Sequence, residues 1–140
     1  MGPPDDIEAI RRLKARYFRC LDTKDWAQLE TVFAPDVEID MRGEGGAVTH
    51  RAAEFVASLE AVLGSATTVH HGHMPEIEIT SATTATGIWS MEDMLRWPDG
   101  TEMHGYGHYL ETYERVDGEW RIATSTLTRL RTDFRVPDAE

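Results

Sequence analysis

The stretch 84–116, TATGIWSMEDMLRWPDGTEMHGYGHYLETYERV, decides the fold of this chain. It is rich in Thr, Trp and Tyr, which favour β-strands, and Pro98-Asp99-Gly100 divides it with a hairpin signal. Ser81-Ala82 and Asp117-Gly118 give two further turn signals on either side. The turns predict a meander of four long strands, over residues 67–80 (kinked at Pro75), 84–97, 101–115 and 119–131.

Two helices are predicted at the start of the chain. Asp5 or Asp6 is expected to cap the first helix, whose apolar residues recur at helical spacing as far as about Leu21. After a break, apolar residues from Trp26 onward predict a second, short helix. Pro35-Asp36 is expected to stop it.

A short strand and a third helix are predicted between those helices and the meander. Apolar and acidic residues alternate over 37–41, as they do in a half-buried strand. The third helix is expected over about 51–63. Gly64 follows at the position where a left-handed residue commonly ends a helix.

This order of elements indicates the α+β class, since a long meander needs helices over one of its faces. We expect a cone-shaped α+β barrel in which three N-terminal helices pack on a strongly curved antiparallel sheet. The sheet and the first helix are expected to enclose a mostly apolar pocket. A single domain is predicted over residues 6–134, with terminal tails at 1–5 and 135–140.

The composition excludes several classes of function. The chain has 140 residues, 41% of them hydrophobic, which suits one globular domain with a real core. Its net charge of -11 disfavours nucleic acid and anionic membranes as partners. Cys20 is the single cysteine, and the first residues do not resemble a secretion signal, so we expect a cytoplasmic protein.

Asp22 and His70 are the first candidates for chemistry. Asp22 comes at the end of the first helix and His70 in the first long strand, so both would lie beside the pocket. A buried carboxylate that binds one ring nitrogen of a histidine leaves the other nitrogen free as a general base. On spacing alone, Asp22 could equally cap the turn between the helices, and His70 could be a surface or a satisfied core histidine.

Tyr17 and Asp93 are further candidates. Tyr17 belongs to the apolar stripe of the first helix, from which its hydroxyl could reach a substrate oxygen, although it could also be core packing. Asp93 follows Trp89 and Met91 at a period of two, so its carboxyl would share their face of the strand. An acid among such neighbours could protonate a leaving group, whereas the alternative is a solvated strand edge.

The remaining histidines raise the question of a metal. His71 and His73 share one strand face, and His104 and His108 share another. We expect no metal, because same-face pairs arise by chance in strands and no cysteine or carboxylate motif of a known metal class accompanies them. We also expect no cofactor, since phosphate-cradling loops and a serine nucleophile elbow are absent from the sequence.

Four motifs in order resemble the SnoaL-like group of the nuclear transport factor 2-like superfamily. They are Asp-Thr-Lys-Asp-Trp at 22–26, Phe-Ala-Pro-Asp at 33–36, Thr-Val-His at 68–70 and Glu-Arg-Val-Asp-Gly-Glu-Trp-Arg-Ile at 114–122. The resemblance covers about residues 6 to 131. The four motifs are fairly specific to the cone fold of this group, but they are much less specific to any one activity.

Within that group the chain is most similar to lyases, namely scytalone dehydratase, bile acid 7α-dehydratase and hexachlorocyclohexane dehydrochlorinase. The resemblance implies that Asp22 and His70 form their Asp-His pair, in which the histidine abstracts a proton. Tyr17 and Asp93 match residues of the bile acid enzyme, which suggests a steroid-like substrate. Leu21 and Met41 stand where scytalone dehydratase has two tyrosines, so that enzyme's mechanism is not implied.

We therefore expect a cofactor-independent lyase that removes water by β-elimination from a small hydrophobic cyclic or polycyclic hydroxy-carbonyl compound. The alternatives are an isomerase or polyketide cyclase of the same fold, or a non-catalytic module that binds a small ligand or a protein. A homo-oligomer, dimer or trimer, is expected through the exposed face of the sheet. The residues expected to bind the substrate are Trp89, Met91, Tyr109, Met41, Phe55 and Arg129.

Overall fold

The computed structural model describes residues 2–138 of the chain. Its helices and strands are, in order, α1 (Pro3–Thr23), α2 (Trp26–Glu30), β1 (Phe33–Asp40), β2 (Val48–Thr49), α3 (Ala52–Leu63), β3 (Thr67–Ile79), β4 (Thr84–Arg96), β5 (Glu102–Val116) and β6 (Glu119–Arg135). One 3-10 turn, Arg42–Glu44, follows β1. Of the predicted terminal tails, residues 1, 139 and 140 lie outside the described residues.

The six strands form one curved, unclosed sheet in the order β2-β1-β6-β5-β4-β3. The predicted meander is confirmed as β3 to β6, and the kink at Pro75 is confirmed as a shift of register between His73 and Glu76. The predicted α+β class is confirmed as well. One pair departs from a purely antiparallel sheet, because β1 runs parallel to β6. The helix α3 and four strands separate these two partners in sequence, so local turn signals do not report their pairing.

Three local predictions at helix ends are wrong. The helix α1 begins at Pro3 after Gly2 rather than after Asp5 or Asp6, since proline suits the first helical position, where no N–H donor is needed. The helix α2 ends at Glu30, and Pro35 lies within β1. Gly64 keeps a right-handed helical conformation instead of the left-handed one.

The core lies between α1 and the concave face of the sheet. Ile10, Leu13 and Leu21 of α1 are buried there, and α1 contacts β3 and β6. Because the residues of each strand alternate between the two faces, every second side chain of β4 and β5 points toward the helices. No helix within residues 2–138 is long and apolar enough to cross a membrane.

A buried ion pair crosses this core. Lys14 Nζ lies 2.8 Å from Glu111 Oε2, and both side chains are almost fully buried. Ser125 and Tyr113 also donate hydrogen bonds to the Glu111 carboxylate. The Lys14 ammonium sits 3.6 Å from the ring centroid of Tyr109, so the pair supports an aromatic side chain on the wall of the pocket described below.

Candidate active site

A cavity of about 490 Å³ lies between α1, α3 and the concave face of the sheet. Its walls are mostly apolar, and seven residues expected at the site contribute to them: Tyr17, Met41, Phe55, His70, Asp93, Tyr109 and Arg129. Leu21, which stands beside Asp22 in sequence, lines the cavity too. The polar groups are therefore concentrated at a few positions in an apolar enclosure, as is typical of small-molecule sites.

Trp89 and Met91 do not line the cavity, although we expected them to bind substrate. The period-two argument placed them on the correct face, since both are buried on the inside of β4. A side chain at Gly72 of β3 would collide with both Trp89 and Phe18 of α1, so the helix closes over the sheet at this point. The Nε1–H of Trp89 instead donates to the hydroxyl of Tyr113, at 2.9 Å.

Asp22 and His70 are in direct contact. The Asp22 carboxylate lies in the last turn of α1, and its Oδ1 is 2.7 Å from His70 Nδ1. It also accepts hydrogen bonds from the backbone N–H of His70 and from the hydroxyl of Thr68, both at 2.9 Å. The cap of α2 is a different carboxylate, that of Asp25, which accepts from the backbone N–H of Gln28. The Asp22 carboxylate thus binds His70 and does not cap the turn between the helices.

This contact determines which nitrogen of His70 can act as a base. An ionised carboxylate only accepts hydrogen bonds, so Nδ1 carries a proton, and in the neutral form of the ring the lone pair is on Nε2. His70 is only 6% exposed, and its side chain reaches the wall of the cavity. The arrangement has the geometry of a general base with an orienting carboxylate.

Asp93 has a partner that the sequence did not reveal. Its two carboxylate oxygens accept hydrogen bonds from Arg129, at 2.7 Å from Nη1 and 2.9 Å from Nη2. We expected an acid among apolar neighbours, and the structure pairs both of its oxygens with a guanidinium in the bidentate geometry that is typical of arginine and carboxylate. Asp93 Oδ2 is also 3.7 Å from His70 Nε2. The free nitrogen of His70 therefore faces a second carboxylate.

Arg129 joins the site to the 3-10 turn at the cavity wall. Its Nη2 lies 2.6 Å from Glu44 Oε2, and Nε donates to the same oxygen. Burial acts to lower the pKa of Arg129, but its hydrogen bonds to Asp93 and Glu44 raise that pKa overall. The guanidinium is a permanent cation between two carboxylates, and it reaches the wall of the cavity from β6, where we expected Arg129 to bind substrate.

Tyr17 and Tyr109 stand next to each other on the cavity wall, with ring centroids 6.0 Å apart. Burial raises the pKa of both phenols, so both hydroxyls stay protonated at neutral pH. The two hydroxyls are hydrogen-bonded to each other, and each can donate one hydrogen bond.

Glu44, Lys14 and Glu111 were missed at the sequence level. Lys14 falls between Ile10 and Tyr17 on the buried stripe of α1, and Glu111 falls between inward-facing tyrosines of β5. The Lys14–Glu111 pair could have been predicted, because each residue places a charge at a position where the periodicity predicts a buried side chain. Glu44 lies in a glycine-rich turn, and no helical or strand periodicity there indicates which way its side chain points.

A sequence model of the SnoaL-like domain matches residues 4–126, which is most of the chain. The chain belongs to the SnoaL-like domain family. The motifs that suggested this family lie in α1, β1, β3 and the β5–β6 hairpin of the SnoaL-like fold.

Two curated relatives of this SnoaL-like chain are fungal proteins. "Scytalone dehydratase PfmaJ" of Pestalotiopsis fici is 29% identical over 132 residues, which cover 85% of the chain and 69% of the relative. "Probable cyclase FGR4" of Gibberella zeae is 23% identical over 143 residues, which cover 91% of the chain and 93% of the relative. The relatives therefore include both a dehydratase and a cyclase.

A solved structure of a hexachlorocyclohexane dehydrochlorinase (LinA) Type2 has the same fold. It superposes with a TM-score of 0.85 at 19% sequence identity, over 94% of this chain and 90% of that chain. The similarity shows a common SnoaL-like architecture. Proteins named for elimination and for cyclisation are thus built on the fold of this chain.

Proposed function

We propose that this SnoaL-like protein is a cofactor-independent lyase that removes water by β-elimination. The observation that carries the proposal is the Asp22–His70 contact of 2.7 Å, with His70 Nε2 free at the wall of an apolar cavity. Elimination of water from a β-hydroxy carbonyl compound needs only proton transfers and stabilisation of charge. Residues of this chain supply both.

In the first step, His70 Nε2 takes the proton from the carbon next to the substrate carbonyl. The ring becomes a cation, which Asp22 stabilises through Nδ1. Asp93, 3.7 Å from Nε2, is a second anion close to that charge. We therefore assign Asp93 the role of stabilising the imidazolium, with Arg129 holding its carboxylate in place.

In the second step, the bond between the β-carbon and the hydroxyl oxygen breaks as the new carbon–carbon double bond forms. Tyr17 donates a hydrogen bond to the departing oxygen, which leaves as water with the proton that His70 removed. The neighbouring phenol of Tyr109 donates to the carbonyl oxygen, where negative charge develops. Burial keeps both phenols protonated for these roles.

The substrate class follows from the cavity. A volume of about 490 Å³ accommodates a molecule of several fused rings. Leu21, Met41 and Phe55 offer apolar contacts to a ring system. The charged groups of the wall form one connected cluster of His70, Asp93, Arg129 and Glu44. A polycyclic hydroxy ketone, steroid-like or polyketide-like, has this distribution of polarity.

The test is a screen of hydroxylated cyclic ketones, with products followed by mass spectrometry for loss of water. The parent protein is expected to convert at least one compound, and His70→Ala to lose about 10²–10⁴-fold in kcat, the usual contribution of one acid-base group. His50→Ala, an exposed histidine outside the cavity, is the matched control. Equal turnover by the parent and His70→Ala would refute the assignment of the base.

A cyclase or isomerase is the second candidate, because one relative that spans nearly the whole chain is named as a cyclase. The same base would remove a proton, but the proton would return elsewhere and nothing would leave. Product mass separates the two reactions, since it is unchanged by isomerisation or cyclisation. Tight binding without any product would instead indicate a non-catalytic ligand-binding module.

A further inference from the structure

The outer face of the sheet brings together three side chains with metal-binding atoms. His71 and His73 are two residues apart on β3, so both rings project from the same face. Glu92 of β4 is the register partner of His71. The three side chains are 58%, 51% and 48% exposed, and they lie outside the cavity.

The distances among these groups suit one metal ion. Glu92 Oε1 is 3.2 Å from His73 Nε2 and 3.6 Å from His71 Nδ1, and one ligand atom from each residue lies within 4.8 Å of the others. A tetrahedral zinc ion with bonds of about 2.0–2.1 Å holds its ligand atoms about 3.3 Å apart. Small rotations of exposed side chains are enough to reach that spacing. Within residues 2–138 no other three His, Cys, Asp or Glu side chains meet in this way.

We propose that His71, His73 and Glu92 form a binding site for a divalent transition-metal ion, Zn²⁺ in the first instance. Two imidazoles and one carboxylate are ligands that zinc prefers, and the exposed side leaves room for water at the remaining position. The net charge of -11 attracts cations to the molecule. The sequence alone argued against a metal because it did not show that Glu92 stands opposite His71.

The site has a structural consequence for the cavity. His70 and Asp93 are register partners that face inward, and the adjacent partners His71 and Glu92 face outward. The strand β3 is an edge of the sheet, so it is paired with β4 alone. An ion bound by His71, His73 and Glu92 clamps this edge strand to β4 directly behind the Asp22–His70 pair.

The first measurement is isothermal titration calorimetry of Zn²⁺ into the metal-stripped full chain without an affinity tag. One ion per chain is expected. His71→Ala and His73→Ala should each weaken the affinity at least about tenfold, since loss of a direct ligand costs no less than loss of its supporting partner. His50→Ala is the matched control, because His50 is exposed and follows β2 at the opposite edge of the sheet.

Two further results distinguish this site from the cavity. Zn²⁺ should raise the Tm of the parent and leave that of His71→Ala/His73→Ala unchanged, because the ion ties β3 to β4 only through these residues. Co²⁺ bound in place of zinc should lose its visible absorption in the same double variant. Unchanged Zn²⁺ affinity in that variant would overturn the proposal, as would loss of binding in His70→Ala instead. Neither result bears on the proposed lyase activity, which is measured without added metal.

Discussion

The carboxylate of Asp22 accepts hydrogen bonds from both the ring and the backbone N–H of His70, at 2.7 Å and 2.9 Å. One side chain at the end of α1 thereby fixes the tautomer, the ring orientation and the strand position of the histidine. The two residues are separated by 48 positions in the sequence, so this contact also anchors α1 to β3.

Replacement of Asp22 should impair catalysis more than binding. In Asp22→Asn the side-chain amide no longer demands the Nδ1–H tautomer and cannot stabilise the imidazolium, so kcat should fall by about 10²–10⁴-fold with little change in KM. Steady-state kinetics on the substrate found in the screen would measure this. Asp25→Asn is the control, because asparagine also caps a helix well. A purely structural role of Asp22 would lower the stability of the variant and leave kcat intact.

Removal of Arg129 should destabilise the fold. In Arg129→Met the Asp93 carboxylate stays buried without its cation, which costs about 3–5 kcal/mol of unfolding free energy. Urea unfolding followed by circular dichroism would measure the change. Arg131→Met is matched, since Arg131 pairs with Asp133 on the surface with 71% of its side chain exposed, and it should leave the free energy of unfolding nearly unchanged. Equal losses in the two variants would contradict the assignment of a buried pair.

Stability should fall at alkaline pH. Burial raises the pKa of Tyr17, Tyr109 and Tyr113, so above about pH 10 the folded chain holds phenolic protons that the unfolded chain has released. The stabilisation is complete below that pH and is lost as pH rises toward the folded pKa values. Lys14 acts in the opposite direction below 10.5, because burial lowers its pKa, and above 10.5 the tyrosines alone remain.

The size of this effect can be checked with one variant. Each tyrosine contributes a slope of about 1.4 kcal/mol per pH unit to the free energy of unfolding. Tyr113→Phe should therefore reduce the slope between pH 10.5 and 11.5 by roughly that amount in urea titrations. Tyr106→Phe, on the half-exposed outer face, is the control for a loss of one hydroxyl. An identical slope in the parent and Tyr113→Phe would show that this phenol does not resist ionisation.

The outer face of the sheet should support a homodimer or homotrimer. It carries a patch of part-exposed apolar side chains: Val69, Ile88, Met94, Tyr106 and Leu110. Ile88 and Leu110 are register partners at one end of this patch, so Ile88→Lys/Leu110→Lys should shift the protein toward monomer in light scattering. Met74→Lys, exposed outside the patch, should not. A parent that stays monomeric at all concentrations would end this prediction.

The sequence predicted the elements that local signals define. Turn residues such as Asp117 and Gly118, both with positive φ, marked the hairpins, and the helical stripe marked α1. The β1–β6 pairing was not predictable in this way, because it joins distant segments without a connecting turn. Elements set by neighbouring residues, such as hairpin turns and amphipathic helices, were therefore predicted well, whereas pairing between distant strands was not.

The same distinction holds for the site. Asp22, His70, Tyr17 and Asp93 were candidates from their places beside the predicted pocket. The resemblance then favoured an Asp22–His70 pair over a helix cap, which spacing alone could not do. The partner of Asp93 was missed, since Arg129 lies 36 positions further on and Glu44 is 85 positions from Arg129. Trp89 and Met91 were placed on the correct face of the strand but wrongly assigned to the cavity. Strand periodicity indicates which face a side chain occupies, but not whether that side chain lines the cavity or is covered by the helix.

The central claim is that His70 presents an unprotonated Nε2 while Asp22 holds the proton on Nδ1. Long-range ¹H–¹⁵N spectra of the histidine rings, assigned by comparison with His70→Ala, measure this directly and need no substrate. At pH 8 the account predicts a His70 ring with Nδ1 protonated and Nε2 bare, and a loss of that pattern in Asp22→Asn. A His70 ring that is protonated at Nε2, alone or together with Nδ1, would contradict the proposed base.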